Sequence, residues 1–191
     1  DTLVIEVCED AWDEQAVDGV TSGVDAVTKK VGTNSAKLAI AAGAVAGILA
    51  SEAISSTNGS RYNYLRAWVY STIGVAAGAL QILLDNTANC ASPLETLDIP
   101  ALTAATWLRV ELPLANPGSD LAIISVGIKQ VTDLGAFDLY IDDVRLNKTY
   151  NRGYPLYGAF NGVALQLRVR NETALDANGA FSSDFRIREA S

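Results

Sequence analysis

The chain has 191 residues with 14 basic and 22 acidic side chains, a formal net charge of −8 and no His. The lack of His excludes Ser-His-Asp triads, His metal sites and imidazole acid–base chemistry, and the negative charge argues against a nucleic-acid surface, which needs clustered Lys and Arg. Residues 1–146 carry 8 basic and 18 acidic side chains (8 − 18 = −10) and residues 147–191 carry 6 and 4 (6 − 4 = +2), an asymmetry that marks either an appendage with its own role or chance in a short tail.

A chain of this length buries a sizeable core without cross-links, and abundant aliphatic and Ala residues fit an ordered globular protein. The start, "DTLVIEVCED", has no basic or apolar leader pattern and no initiating Met, and reads as a processed or trimmed beginning. Alternation and turn signals then recur at the spacing of an all-β sandwich, with strands expected over 2–8, 36–40, 62–71, 78–85, 106–114, 121–131 and 137–146. Residues 56–60, 85–93 and 115–120 have loop chemistry. The Ala-rich stretch 38–55 has helical composition, but its Gly spacing suits two strands flanking the "AAGA" turn, and it is too short and weakly apolar to span a bilayer. After Leu146 a Gly/Pro/Tyr-rich connector leads to alternating runs 163–171 and 180–189, joined through Asn178-Gly179, a hairpin-turn signal. An isolated hairpin is marginal in water, so this one is expected to pack on the sandwich, on a second copy or on a partner. The expected fold is therefore all-β: an antiparallel two-sheet β-sandwich (jelly roll) over residues 1–146, with a C-terminal β-hairpin extension over 147–191.

Cys8 and Cys90 allow one disulfide or two buried thiols and make a poor zinc set. The stretch "LYIDDVRL" (139–146) sets two adjacent acids, Asp142 and Asp143, in a strand pattern. Neighbouring strand residues point to opposite faces, so one of the pair is expected at the buried side or its rim, and something must neutralise it.

The order of "CED" ending the first strand, then "GTNSAKL", "YLRAWVYS" and "LYIDDVRL" resembles the galactose-binding-like jelly rolls of many carbohydrate-binding modules, over residues 2–146. The resemblance implies a structural calcium ion held by the Glu9 carboxylate, the Lys37 carbonyl and the Asp142 carboxylate, with Asp10, Asn34 or Asp143 as further ligands; oxygen donors of this kind suit calcium. Without a metal, Asp142 pairs with Arg145 or Lys37 or caps a turn. Cys8 departs from the family pattern, where an apolar residue is usual, and leaves the register of Glu9 open.

Alternation in "YNYLRAWVYS" assigns Tyr62, Tyr64, Arg66, Trp68 and Tyr70 to one face and Leu65, Ala67 and Val69 to the core. Adjoining strands are expected to add Gln81, Asp85, Arg109, Ser125, Lys129 and Tyr140. Rings flanked by hydrogen-bonding groups suit sugars, whose C–H faces pack on rings while hydroxyls need polar partners. The alternatives are burial of this face under the C-terminal segment or a second copy, and a register that turns Trp68 into the core.

The middle of the chain also resembles sandwich domains of tailed-bacteriophage virion proteins such as head decoration proteins, head fibres and tail-associated adhesins. On that resemblance the protein is a non-catalytic structural or binding component of a virion, a homo-oligomer or part of a viral shell. The alternative is a carbohydrate-binding module of a secreted or cell-surface bacterial protein, with a glycan as partner. No acid pair is marked for glycoside hydrolysis, and no membrane span or nucleic-acid partner is expected.

Overall fold

The computed structural model describes residues 1–14 and 18–148, together with the backbone of two strands further on. The chain forms two compact units, Asp1–Thr149 and Tyr150–Ser191. In the first, eleven strands follow in order: β1 (Thr2–Glu6), β2 (Asp13–Glu14), β3 (Val20–Asp25), β4 (Ser35–Ile40), β5 (Gly47–Thr57), β6 (Tyr64–Ser71), β7 (Leu80–Asp85), β8 (Glu95–Asp98), β9 (Leu108–Pro113), β10 (Ile123–Gln130) and β11 (Phe137–Asn147). One sheet, here sheet A, has the order β3-β4-β11-β6-β9 with β1 also on β11; the other, sheet B, has the order β2-β5-β10-β7-β8, and all pairings are antiparallel. This is the expected two-sheet β-sandwich. The Ala-rich stretch breaks after Ile40 and resumes as β5, two strands about a turn as expected.

The alternation decides the core. Leu65, Ala67 and Val69 of β6, Leu139 and Ile141 of β11, Ile82 and Leu84 of β7 and Val126 and Ile128 of β10 are all buried between the sheets. Burial at about 25 cal/mol per Å² of apolar surface makes this layer the main source of stability. Trp12, in the loop before β2, joins it.

The acid pair of "LYIDDVRL" is resolved by a bulge rather than by opposite faces. Asp142 pairs with Trp68 and Arg145 with Arg66, so three steps on β11 match two on β6, and Asp143 takes the left-handed conformation (φ 54°). A bulge carries one extra residue and breaks the alternation. Both acids thereby leave the core side, Asp142 opposite Trp68 and Asp143 facing Arg66 and Arg145 on the outer face of sheet A.

The second unit contains β12 (Pro155–Phe160) and β13 (Val163–Arg168), paired antiparallel with Phe160 opposite Val163. The 163–171 run was expected to pair with 180–189; in the described backbone β13 has β12 as a neighbour. Residues 180–189 lie outside the described residues.

Candidate functional site

Strand pairing sets side chains of sheet A in transverse rows. Gly23, Lys37, Tyr140 and Tyr70 are successive partners across β3, β4, β11 and β6, and the Trp107 ring, just before β9, lies against Tyr70. The Tyr70 and Trp107 centroids are 5.5 Å apart at 52°, and those of Tyr70 and Tyr140 are 5.3 Å apart, edge to face. Such pairs contribute about 0.5–1.5 kcal/mol each beyond burial. Tyr140 is buried beneath, whereas Tyr70 and Trp107 are half-buried. Polar groups flank the rings: Lys37 bridges Asp138 at 2.9 Å and its ammonium lies 5.4 Å from the Tyr140 centroid. The hydrogen bond to Asp138 holds the Lys37 pKa above its usual value.

The neighbouring row holds Asp142, Trp68 and Arg109. Trp68 is half-buried, and the Lys30 ammonium sits 4.6 Å from its ring centroid. That geometry is a cation–π contact, so one face of Trp68 is covered by Lys30. The row beyond pairs Arg145, Arg66 and Glu111, with Arg145 Nε donating to Asp143 at 2.5 Å and Arg66 3.6 Å from the same carboxylate.

Of the six side chains expected to form one binding face, four share the outer face of sheet A: Tyr64, Arg66, Trp68 and Tyr70. Tyr64 stands at the far end, opposite Pro113 and Asn147. Tyr62 precedes β6 and packs against the core. Gln81 is on β7 of sheet B, where its amide donates to Asp98 at 2.8 Å. Asp85, Ser125 and Lys129 are on sheet B as well, and only Arg109 and Tyr140 of the adjoining set join the aromatic row's face. Period-two patterning assigns a residue to a face of its own strand but is silent on which sheet that strand enters.

The outer face of sheet B is built differently. Its strands contain no aromatic residue, and loop 86–94 folds against it. Cys90, with φ 51°, rests on Gly127, where an added Cβ would stand 2.8 Å from Cys90 Sγ. Ser125 Oγ accepts from Cys90 N–H at 3.2 Å and donates to the Thr87 carbonyl at 2.7 Å, while Asp85 accepts from Thr87 Oγ1 and from Ser92 N–H. Burial raises the Cys90 pKa to about 11. Cys8 lies in the other sheet's neighbourhood, also buried, and the two thiols are free rather than joined.

The expected metal ligands are brought together in part. Loop 30–34, between β3 and β4, meets both carboxylates: Asp142 Oδ2 accepts from Lys30 N–H (2.6 Å) and Val31 N–H (2.8 Å), and Glu9 accepts from the Thr33 hydroxyl and from Thr33 and Asn34 N–H. These bonds, the Thr33 hydroxyl foremost, hold Glu9 below its ordinary pKa. Asp142 is raised, chiefly by burial and against the pull of the two amides. Its Oδ1 is buried without a hydrogen-bond partner, so it is the atom a hard cation would take. Lys37 stands two positions along β4, opposite Gly23 on one side and Tyr140 on the other. Among the described residues no three Asp, Glu, Cys or His side chains converge as a metal-binding group.

Trp107 and Lys30 were not expected at the site. Trp107 has the same strand parity as Arg109, which was assigned outward, so its signal was present; Lys30 arrives from a loop and leaves no periodic trace.

The architecture is that of carbohydrate-binding modules. The chain is similar in structure to a family 11 carbohydrate-binding module from Clostridium thermocellum, in complex with a β-1,3-1,4-mixed-linked tetrasaccharide, with TM-score 0.56, 12% identity, and 78% of this chain and 96% of that one covered. A family 30 module of a cellulosomal cellulase of Clostridium thermocellum gives TM-score 0.52 and 14% identity over 78% of this chain and 99% of that one. At such identities the likeness is one of fold. No protein-family model matches the sequence, and no curated protein matches it. The resemblance to phage virion sandwiches has no counterpart among these likenesses.

Proposed function

We propose that the protein is a non-catalytic carbohydrate-binding module and that its ligand lies on the outer face of sheet A, across Tyr70 and Trp107. The observation that carries this reading is the row of contacting rings, with two members only partly buried and polar neighbours Lys37 and Asp138. Rings supply the apolar contact for a pyranose and the flanking groups its hydrogen bonds. The sandwich fold supports the reading, and an extracellular or cell-surface setting goes with it. The virion role, with residues 147–191 docking on a shell or a second copy, rests on sequence resemblance alone, and the fold likeness favours the module. A structural calcium ion at Asp142 Oδ1, with the Glu9 carboxylate and the Lys37 carbonyl as further ligands, belongs to the same reading.

Affinity electrophoresis against a panel of soluble plant and microbial polysaccharides tests it. The intact chain is retarded by at least one, and Tyr70→Ala and Trp107→Ala lose about tenfold in affinity, the worth of one aromatic contact. A chain that migrates unretarded through the whole panel refutes the proposal.

A further inference from the structure

The charge on sheet A's outer face is unlike that of the rest of the domain. Of nine Lys and Arg in residues 1–148, five stand there (Lys30, Lys37, Arg66, Arg109, Arg145), against five acids (Asp25, Glu111, Asp138, Asp142, Asp143), a balance of 5 − 5 = 0. The remaining residues of 1–148 carry four cations and thirteen acids, 4 − 13 = −9. An acidic domain thus collects its cations beside its only row of contacting rings among the described residues.

Three of those cations surround Trp68, and their acids are only partly committed to them. Lys30 lies over the ring, and among the described residues no carboxylate comes within ion-pair distance of its ammonium. Arg66, two residues before Trp68 on the same face, has its nearest carboxylate at 3.6 Å, beyond hydrogen-bond range, and a buried Nε without a partner. Asp143 is already held by Arg145 at 2.5 Å. Arg109 is Trp68's cross-strand partner and pairs only with exposed Glu111 at 3.2 Å, a contact worth little in water. A guanidinium has five donors in a fixed fork suited to a carboxylate or sulfate.

We infer that the ligand is an acidic polysaccharide: a pyranose packs on Tyr70 and Trp107 while the anionic group of an adjacent sugar is held by Lys30, Arg66 and Arg109. Trp68 here fixes the Lys30 ammonium and is not itself the stacking platform. The inference rests on the proposed glycan-binding role and adds the charge class of the ligand.

The test compares polygalacturonate, a carboxylated polymer, dextran sulfate, a sulfated one without carboxylates, and neutral mixed-linkage β-glucan at low and high salt. The assay uses the intact chain and a Lys30→Ala/Arg109→Ala variant, whose fold is checked by its melt. The expected result is binding of at least one acidic polymer about tenfold or more tighter than the β-glucan, weakened by salt and lost in the double variant; which polymer binds separates carboxylate from sulfate. Equal or tighter binding of the β-glucan, or acidic binding indifferent to the double variant, overturns the inference while leaving the glycan-binding role in place. No binding to any of the three overturns the inference, and the wider polysaccharide panel then decides the role separately.

Discussion

Asp120→Asn is expected to stabilise the domain at neutral pH. Asp120 ends the short turn Pro117–Ser119 before β10, is fully buried, and has no hydrogen-bond partner for either carboxylate oxygen. Burial, with repulsion from Glu95, raises its pKa from 3.8 to about 6. The folded state therefore holds this proton more tightly than the unfolded chain. Stability from this group is fully present below the unfolded value of 3.8 and is lost as pH rises to about 6, beyond which the full cost is carried. A shift of this size corresponds to roughly 2–3 kcal/mol. For a domain of this length, the neutral amide should raise Tm by about 4–10 °C at pH 7 and by little near pH 4, where Asp120 is largely protonated. Thermal melts of both proteins across that range read the effect. A variant that melts at or below the wild type at pH 7, or a gap that does not change with pH, would refute the account of Asp120 as a charge buried without compensation.

Gly127→Ala should cost about 1–3 kcal/mol, because its Cβ would stand 2.8 Å from Cys90 Sγ and 3.3 Å from the Ala50 carbonyl; Cys90→Ala should recover part of that in a denaturant-melt cycle, and additivity would show that the loop does not rest there. Glu52→Gln should stabilise above pH 7, since burial and the nearby Asp10, Glu6 and Asp13 raise Glu52 to about 7; equal melts at pH 8 would count against it. Calcium at a hundredfold excess over its dissociation constant should add about 2.7 kcal/mol to the wild type and nothing to Asp142→Ala. A wild-type melt indifferent to chelator would leave the amides of Lys30 and Val31 as the carboxylate's only neutralisers.

The sandwich was legible because both its faces impose period two: β6 and β11 read directly from "YLRAWVYS" and "LYIDDVRL". The missed strands β2, β3 and β8 are short or carry little apolar alternation, "DE", "VTSGVD" and "ETLD". The bulge at Asp143 was illegible for a different reason. It depends on a left-handed residue and on the partner strand's register, and neither is written in local alternation. The site was half legible: the outward set of β6 was right from Tyr64 to Tyr70, but Gln81 and Lys129 were grouped with it although sheet membership follows from crossovers between distant strands. The Asp142–Lys30 bond spans 112 positions and the Lys30–Trp68 contact joins a loop to a strand, so no local pattern announces them.

The most direct test of glycan binding on sheet A follows the three Trp indole N–H signals by two-dimensional NMR while oligogalacturonides and mixed-linkage β-glucan oligosaccharides are titrated separately. Trp12 is buried in the core, Trp68 lies beneath Lys30, and Trp107 is half-buried at the end of the ring row, against Tyr70. A glycan bound across Tyr70 and Trp107 should give saturable shifts of the Trp107 signal, smaller ones at Trp68, none at Trp12, and no backbone shifts around Gln81 and Lys129. Shifts confined to sheet B, or a Trp107 signal that does not move with a sugar that binds, would contradict it.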